Sequence, residues 1–172
     1  IVVPALSWIT TISPIIQFGL EPILCDINLS DLSIDLVDLE ILFINHSPAA
    51  LFMVSILGLV PDMERVQELC HRYDVVLIMD NCESQGSTYK KKSIESFGEI
   101  STCSSYFGHN SSTIEGGMMV TDDVDVYDMA KRQRSHGWSR DLINYAKEQL
   151  EKEWNVDGFL ALYTFYSTGF NL

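Results

Sequence analysis

Val75-Val76-Leu77-Ile78-Met79 is an unbroken apolar run that stops on Asp80. A run this short, rich in branched side chains, reads as a strand of a parallel sheet buried on both faces. Ligand sites in such sheets lie outside the carboxyl ends of the strands, which puts Asp80 at the mouth of a site. Apolar neighbours alone would not tolerate its carboxylate, so a cation is expected beside it, from the protein or from a ligand.

Further along, Ser104 and Ser105 sit in a strand-like segment that leads into Phe107-Gly108-His109. Glu115-Gly116-Gly117 then turns the chain into a second apolar strand, Met118-Met119-Val120. The connection between them holds small residues, hydroxyls, one imidazole and paired glycines. On composition alone it is either a ligand loop or a long polar link between two buried strands, and both readings stay open.

The chain has 172 residues with 47% hydrophobic content, enough for a sizeable core and far from a disordered composition. Its net charge of −13 speaks against an electrostatic nucleic-acid surface. No stretch approaches a membrane span, and the first residues lack the charged start of a secretory signal. Cys25, Cys70, Cys82 and Cys103 are scattered with no C-x-x-C, which reads as reduced thiols and a cytoplasmic protein.

In chain order, a helix is expected from about Thr10 to Phe18, interrupted by Pro14, which fits best in its first turn. A short strand follows at Glu21–Asp26, a short helix at Leu36–Phe43 and a buried strand at Ala50–Val54. Pro61-Asp62 opens a helix capped by Asp62, with Met63, Val66, Leu69, Cys70 and Tyr73 on one face. The Val75–Asp80 strand then completes a β-α-β unit. Lys90-Lys91-Lys92 reads as a solvated hairpin turn, and His46 and His71 as surface or capping residues. A helix from about Asp123 to Arg134 carries acids at its start and bases at its end, as the helix dipole favours. Beyond Arg140, INYAKEQLEKEW reads as an exposed helix leading toward a second domain.

DNCESQGSTY, SFGEIST, the run from Ser104 to Asp122, and RSHGWSRDL resemble the sugar aminotransferase family of pyridoxal-phosphate enzymes. That resemblance covers about Val2 to Asp141, and GFNL is similar to a later family segment. It implies a three-layer α/β/α large domain of the type I pyridoxal-phosphate fold, with a mostly parallel mixed sheet truncated at both ends. It implies a central part of that large domain over residues 1–141, then a linker helix and the start of a small domain over 142–172. Met118–Thr121 is expected antiparallel beside Cys103–Tyr106. Because the chain starts inside a strand and stops inside a motif, it is expected to be an internal piece of a longer enzyme.

The resemblance also implies roles. Trp8 would stack on the cofactor's pyridine ring, where the residue alone reads as a core aromatic at a helix start. Asp80 would pair with the ring nitrogen, Ser104 would contact the phosphate, and Glu83 would face the ring hydroxyl in place of a family Gln. Asn171 would reach the cofactor phosphate of a neighbouring subunit in a homodimer. Ordinary members carry a Lys six residues before the Glu of E-G-G, and that Lys bonds covalently to the cofactor. Here the position is His109. A branch of 3-dehydratases that act on nucleotide-linked 4-keto-6-deoxy sugars has the same exchange. Such enzymes hold pyridoxal or pyridoxamine 5′-phosphate non-covalently, take glutamate as amino donor, and use the His, with an ordinary pKa near about 6.5, as acid and base. That branch commonly has two consecutive His where this chain has His109-Asn110. A related type adds an iron–sulfur cluster, which needs about four Cys thiolates; no Cys follows Cys103, so no cluster is expected.

Three function classes thus stand: a cofactor-dependent 3-dehydratase or nucleotide-sugar aminotransferase, an inactive relative serving as a sugar-binding or regulatory subunit, and a phosphoreceiver domain. The last lacks the paired acids and the late Lys that it needs.

Overall fold

Short strands alternate with helices up to β4, as the sequence predicts. They are β1 (Val2–Pro4), α1 (Ile9–Gln17), β2 (Ile23–Cys25), α2 (Leu36–His46), β3 (Ala50–Val54), α3 (Met63–Tyr73) and β4 (Val76–Asp80). A two-stranded hairpin, β5 (Thr88–Tyr89) with β6 (Lys92–Ser93), precedes β7 (Ile100–Ser104) and β8 (Gly117–Val120). This computed structural model describes residues 1–134 and 136–138, with 148, 151–153 and 155. The expected change of domain at 141–142 and Asn171 lie outside the described residues, as does most of the helix expected after Arg140.

Two compact units divide the chain, Ile1–Val120 and Thr121–Leu172. In the first, six strands form one sheet in the order β2-β1-β3-β4-β7-β8. All neighbours are parallel except β8, which runs antiparallel to β7 with Cys103 opposite Met118 and Ser104 opposite Gly117. The reversed last strand is therefore where the sequence puts it. In the second unit, α4 (Val124–Gln133) opens on Asp123, whose carboxylate accepts the amides of Asp125 and Val126.

Strand alternation sorts the core. Leu51, Met53, Leu77 and Met79 point to one face, where Leu39 and Phe43 of α2 and Met63, Val66, Leu69 and Cys70 of α3 cover them. The helix face read from the spacing of Met63 to Tyr73 is that packed face. Asp80 points to the other face, where Thr11 of α1 reaches it. Helices on both sides of the sheet make three layers. β4 departs from the expectation of burial on both faces, because Val76 on its second face is 44% exposed.

Local chemistry explains the boundaries. Asp35 caps α2 by accepting the amide of Val37 at 2.8 Å, and Asp62 caps α3 by accepting that of Arg65 at 3.2 Å. α2 runs past the expected end at Phe43 to His46 and stops on Ser47, which is left-handed. β2 is shorter than expected, since Asp26 leaves the ladder to bond Asp38. α1 corrects one expectation. It starts at Ile9, so Pro14 falls in its middle and not in its first turn, and the bond to the Thr10 carbonyl is missing. Lys90 and Lys91 both have positive φ, at 47° and 68°, and make the tight turn of the β5–β6 hairpin. His46 and His71 are exposed, as expected. None of the helices among the described residues is long and apolar enough to cross a membrane.

Gly98 sits where β4 and β7 come together. A Cβ there would lie 2.7 Å from Met79 Cγ, 2.9 Å from the Ile100 carbonyl and 3.0 Å from the Leu77 carbonyl. Gly98→Ala in the full-length protein should cost about 1–3 kcal/mol, read as a lower urea midpoint with an unchanged m-value.

Candidate active site at the carboxyl edge of the sheet

Every residue singled out on the sequence that falls within the described part follows the carboxyl end of a strand. Trp8 follows β1, Asp80 and Glu83 end and follow β4, and Ser104 and His109 end and follow β7. Parallel strands expose their ends on a common edge, so residues far apart in sequence gather there.

Asp80 is 8% exposed. Its carboxylate accepts the Thr11 hydroxyl at 2.9 Å and the Cys82 amide at 3.1 Å. Both donors are neutral, and no Lys or Arg among the described residues forms an ion pair with it. The expected cation is thus not a described protein side chain. Cys82 lies beside Asp80. Burial, and then the neighbouring carboxylate, push its thiol up to about 12.

Next to Asp80, Asn81 is fully buried. Its amide donates to the Thr102 carbonyl at 2.8 Å and its Oδ1 accepts the Ser84 hydroxyl at 3.0 Å, but its Nδ2 has no partner. Ser55, at the end of β3, is likewise buried with an unpartnered hydroxyl. A third such atom is Nδ1 of His109. Buried polar atoms without partners are uncommon, and with Ser7 Oγ after β1 and Gln85 Oε1 after β4 five of them follow the carboxyl ends of strands.

His109 is held by its loop. The Ser105 amide donates to the Gly116 carbonyl at 2.9 Å, Phe107 to Ile114 at 3.1 Å, and Thr113 back to Ser105 at 2.9 Å. The hydroxyls of Ser105 and Thr113 share a 2.8 Å bond, and Thr113 also donates to the Glu115 carbonyl. Gly116 has φ 141°, and a Cβ there would meet Ser105 Oγ at 2.7 Å, so only glycine fits. The His109 amide donates to the Tyr106 carbonyl at 3.0 Å, and the Tyr106 ring meets the imidazole edge-on at 5.7 Å.

A cavity of about 510 Å³ is lined by Leu57, Gly58, Cys82, Glu83, Ser87, Gly108, His109 and Asn110. His109 and Glu83 therefore share one cavity. Asp80 and Trp8 do not line it. Trp8 precedes α1, whose first turn carries Thr11, the donor to Asp80, and Asp80 adjoins the cavity through Cys82. Trp8 is 72% exposed, which rules out the core-aromatic reading. Ser104 is half-buried and its hydroxyl accepts the Tyr106 amide at 3.1 Å. Glu83 Oε2 accepts the Leu57 amide at 2.8 Å. Thr11, Leu57 and Ser87 were not legible as site residues. Thr11 lies in a run of ordinary helix residues, and Ile56-Leu57-Gly58 carries only the glycine as a turn signal.

One solved structure, a GDP-4-keto-6-deoxymannose-3-dehydratase with a trapped PLP-glutamate geminal diamine, superposes with a TM-score of 0.85 at 31% identity. The match covers 99% of this chain and 44% of that one. The fold is thus that of the pyridoxal-phosphate enzymes of aminotransferase type. Within that class, the chain belongs to the DegT/DnrJ/EryC1/StrS aminotransferase family, which matches residues 1–165. It is 35% identical over 172 residues to a GDP-4-keto-6-deoxy-D-mannose 3-dehydratase of Escherichia coli, covering all of this chain and 44% of the relative. A GDP-perosamine synthase from another Escherichia coli strain is 33% identical over 151 residues, or 84% of this chain and 41% of that protein. The chain spans less than half the length of the curated relatives it matches.

Two measurements check this geometry. Thr11→Val removes a buried donor from a carboxylate and should cost about 1–3 kcal/mol in a denaturation curve, while Thr11→Ser should recover most of it. Cys82 should resist alkylation at pH 8 by on the order of a thousandfold relative to a free thiol, with a rate still climbing above pH 9.

Proposed function

We propose that the full-length protein removes the C3 hydroxyl of a nucleotide-linked 4-keto-6-deoxy sugar, with bound pyridoxal or pyridoxamine 5′-phosphate and with His109 as acid and base. The observation that carries this reading is His109 itself. It stands six residues before Glu115, the spacing at which the family resemblance implies the cofactor-binding Lys, and it lines the cavity beside Glu83. The identity to a GDP-4-keto-6-deoxy-D-mannose 3-dehydratase supports it along the whole chain.

The residues present fit such a cofactor. Asp80 is a nearly buried carboxylate with only neutral partners, which suits a protonated ring nitrogen. Trp8 offers an exposed indole for stacking at the same edge. Ser104 offers a hydroxyl whose oxygen already accepts the Tyr106 amide, which leaves its O–H as the donor that would hold a phosphate. Glu83 keeps one carboxylate oxygen beyond the one given to Leu57, and that oxygen would be the one to meet the ring hydroxyl. Asn171, outside the described residues, would serve a neighbouring subunit's phosphate in a homodimer. When bound, the cofactor supplies an electron sink and carries the amino group that glutamate restores.

His109 does the proton work. Its imidazole would accept the proton released from the methylene carbon of the bound pyridoxamine group, and the imidazolium would return that proton to the C3 hydroxyl oxygen, which leaves as water as the C3–O bond breaks. A Lys would form a covalent bond at this position, whereas an imidazole leaves the cofactor held by contacts alone. Four free thiols at Cys25, Cys70, Cys82 and Cys103 support a reducing compartment, the cytoplasm. A nucleotide-sugar aminotransferase is the second reading, favoured by the identity to a GDP-perosamine synthase.

His109→Asn in the full-length enzyme should lower the rate of sugar dehydration by about 100- to 10,000-fold while leaving cofactor binding largely in place. Borohydride should leave pyridoxal phosphate unattached to the wild-type chain. Covalent trapping would favour the aminotransferase reading, and a His109→Asn variant that keeps its rate would sink the acid–base role.

A further inference from the structure

One wall of the His109 cavity is built from strained backbone. Leu57 adopts φ 52° and ψ 20°, the left-handed region that side-chain-bearing residues rarely enter, and Gly58 follows with φ 76°. Two side chains hold this turn from the β4 side. Glu83 Oε2 accepts the Leu57 amide at 2.8 Å, and the Ser87 hydroxyl donates to the Gly58 carbonyl at 3.3 Å. A Cβ on Gly58 would come within 3.1 Å of that hydroxyl, so the clasp is tight. Its product is an exposed leucine, 73% accessible, on the rim of a cavity whose other side chains are Cys82, Glu83, Ser87, His109 and Asn110.

We propose that the Leu57–Gly58 turn is the specificity-determining wall of this cavity: Leu57 packs on the 6-deoxy methyl end of the sugar, and Glu83 is the positioning residue that holds Leu57 there. The identity of the ligand rests on the reading given above; the clasp does not. Hydrogen bonds to a charged acceptor are the stronger kind, and this one pins an amide in a conformation that Leu would otherwise leave. Among polar neighbours, a single apolar surface has one complementary feature on a deoxyhexose, its methyl group. A hydroxymethyl in that place would lose the hydration of its hydroxyl without gaining a partner. Glu83 then has two duties, one oxygen on the wall and the other toward the cavity, which ties the wall's position to whatever occupies the site.

The clasp is tested in the full-length protein without ligand, by amide hydrogen exchange of the peptide spanning 55–59. Glu83→Ala should speed exchange about tenfold or more, and Glu83→Gln, which keeps an acceptor oxygen, should stay within about threefold of wild type. Equal exchange in wild type and Glu83→Ala, or no recovery in Glu83→Gln, would overturn the positioning role. The wall is tested by titrating GDP-6-deoxymannose and GDP-mannose. The wild type should prefer the deoxy sugar about tenfold, the scale at which one apolar contact discriminates. Leu57→Asn, whose side chain tolerates the left-handed conformation, should remove that preference while leaving exchange of the 55–59 peptide unchanged. A wild type that binds neither sugar or prefers neither, or a Leu57→Asn variant that keeps the preference, would overturn the specificity role. If dehydration is absent but the preference and its loss are both seen, the reaction assigned above fails and the wall stands.

Discussion

The site depends on one buried carboxylate. Asp80 ends β4, the strand paired on both sides by β3 and β7, and it has no lateral freedom. Its oxygens take the Thr11 hydroxyl and the Cys82 amide. The first bond fixes α1 against the sheet and with it Trp8, the residue that precedes the helix. The second sets the direction in which the chain leaves the strand, which determines where Cys82 and Glu83 enter the cavity. Removing the charge would loosen both α1 and the Cys82–Glu83 segment, because both are anchored to it.

From that anchor the other parts follow by adjacency. Glu83 is three residues past Asp80 and reaches the turn after β3, which is the neighbouring strand. Ser104 is two residues past Thr102, the partner of Asp80 on β7. His109 hangs on the loop that β7 and β8 close between them, braced by Ser105, Thr113 and Gly116. The sheet edge thus acts as a ruler: strand register converts sequence offsets of a few residues into positions a few ångströms apart.

Much of this was legible in the chain. The Val75–Asp80 run identified its strand because continuous branched apolar residues ending in an acid have few other uses. The Gly116-Gly117 pair identified the reversal into β8, since a Cβ at Gly117 would press to 3.0 Å on the Cys103 carbonyl. What escaped was of two kinds. Thr11 is an ordinary helix residue whose buried role exists only once α1 lies across the end of β4. Leu57 breaks its own conformational preference, and no local pattern announces a leucine forced left-handed by a glutamate from the next strand. Pro14 misled in another way: a proline reads as an interruption or a first-turn residue, whereas α1 runs from Ile9 to Gln17 straight through it.

On the proposed reading, exchanging Lys for His at position 109 shifts the burden of binding. A Lys would anchor the cofactor by a covalent bond, and its ring contacts would only orient it. With an imidazole there, the ring is kept by noncovalent contacts: the charge of Asp80, the face of Trp8, a phosphate donor and Glu83. Each of those contacts must then be preorganised, since every side chain that has to be ordered on binding subtracts from affinity. The described geometry meets that demand. Asp80 is fixed by two hydrogen bonds, Glu83 by the Leu57 amide and Ser104 by the Tyr106 amide. His109 Nδ1 is among the buried atoms left without a partner, and a group that must gain and lose a proton is better served by an uncommitted nitrogen than by one already held.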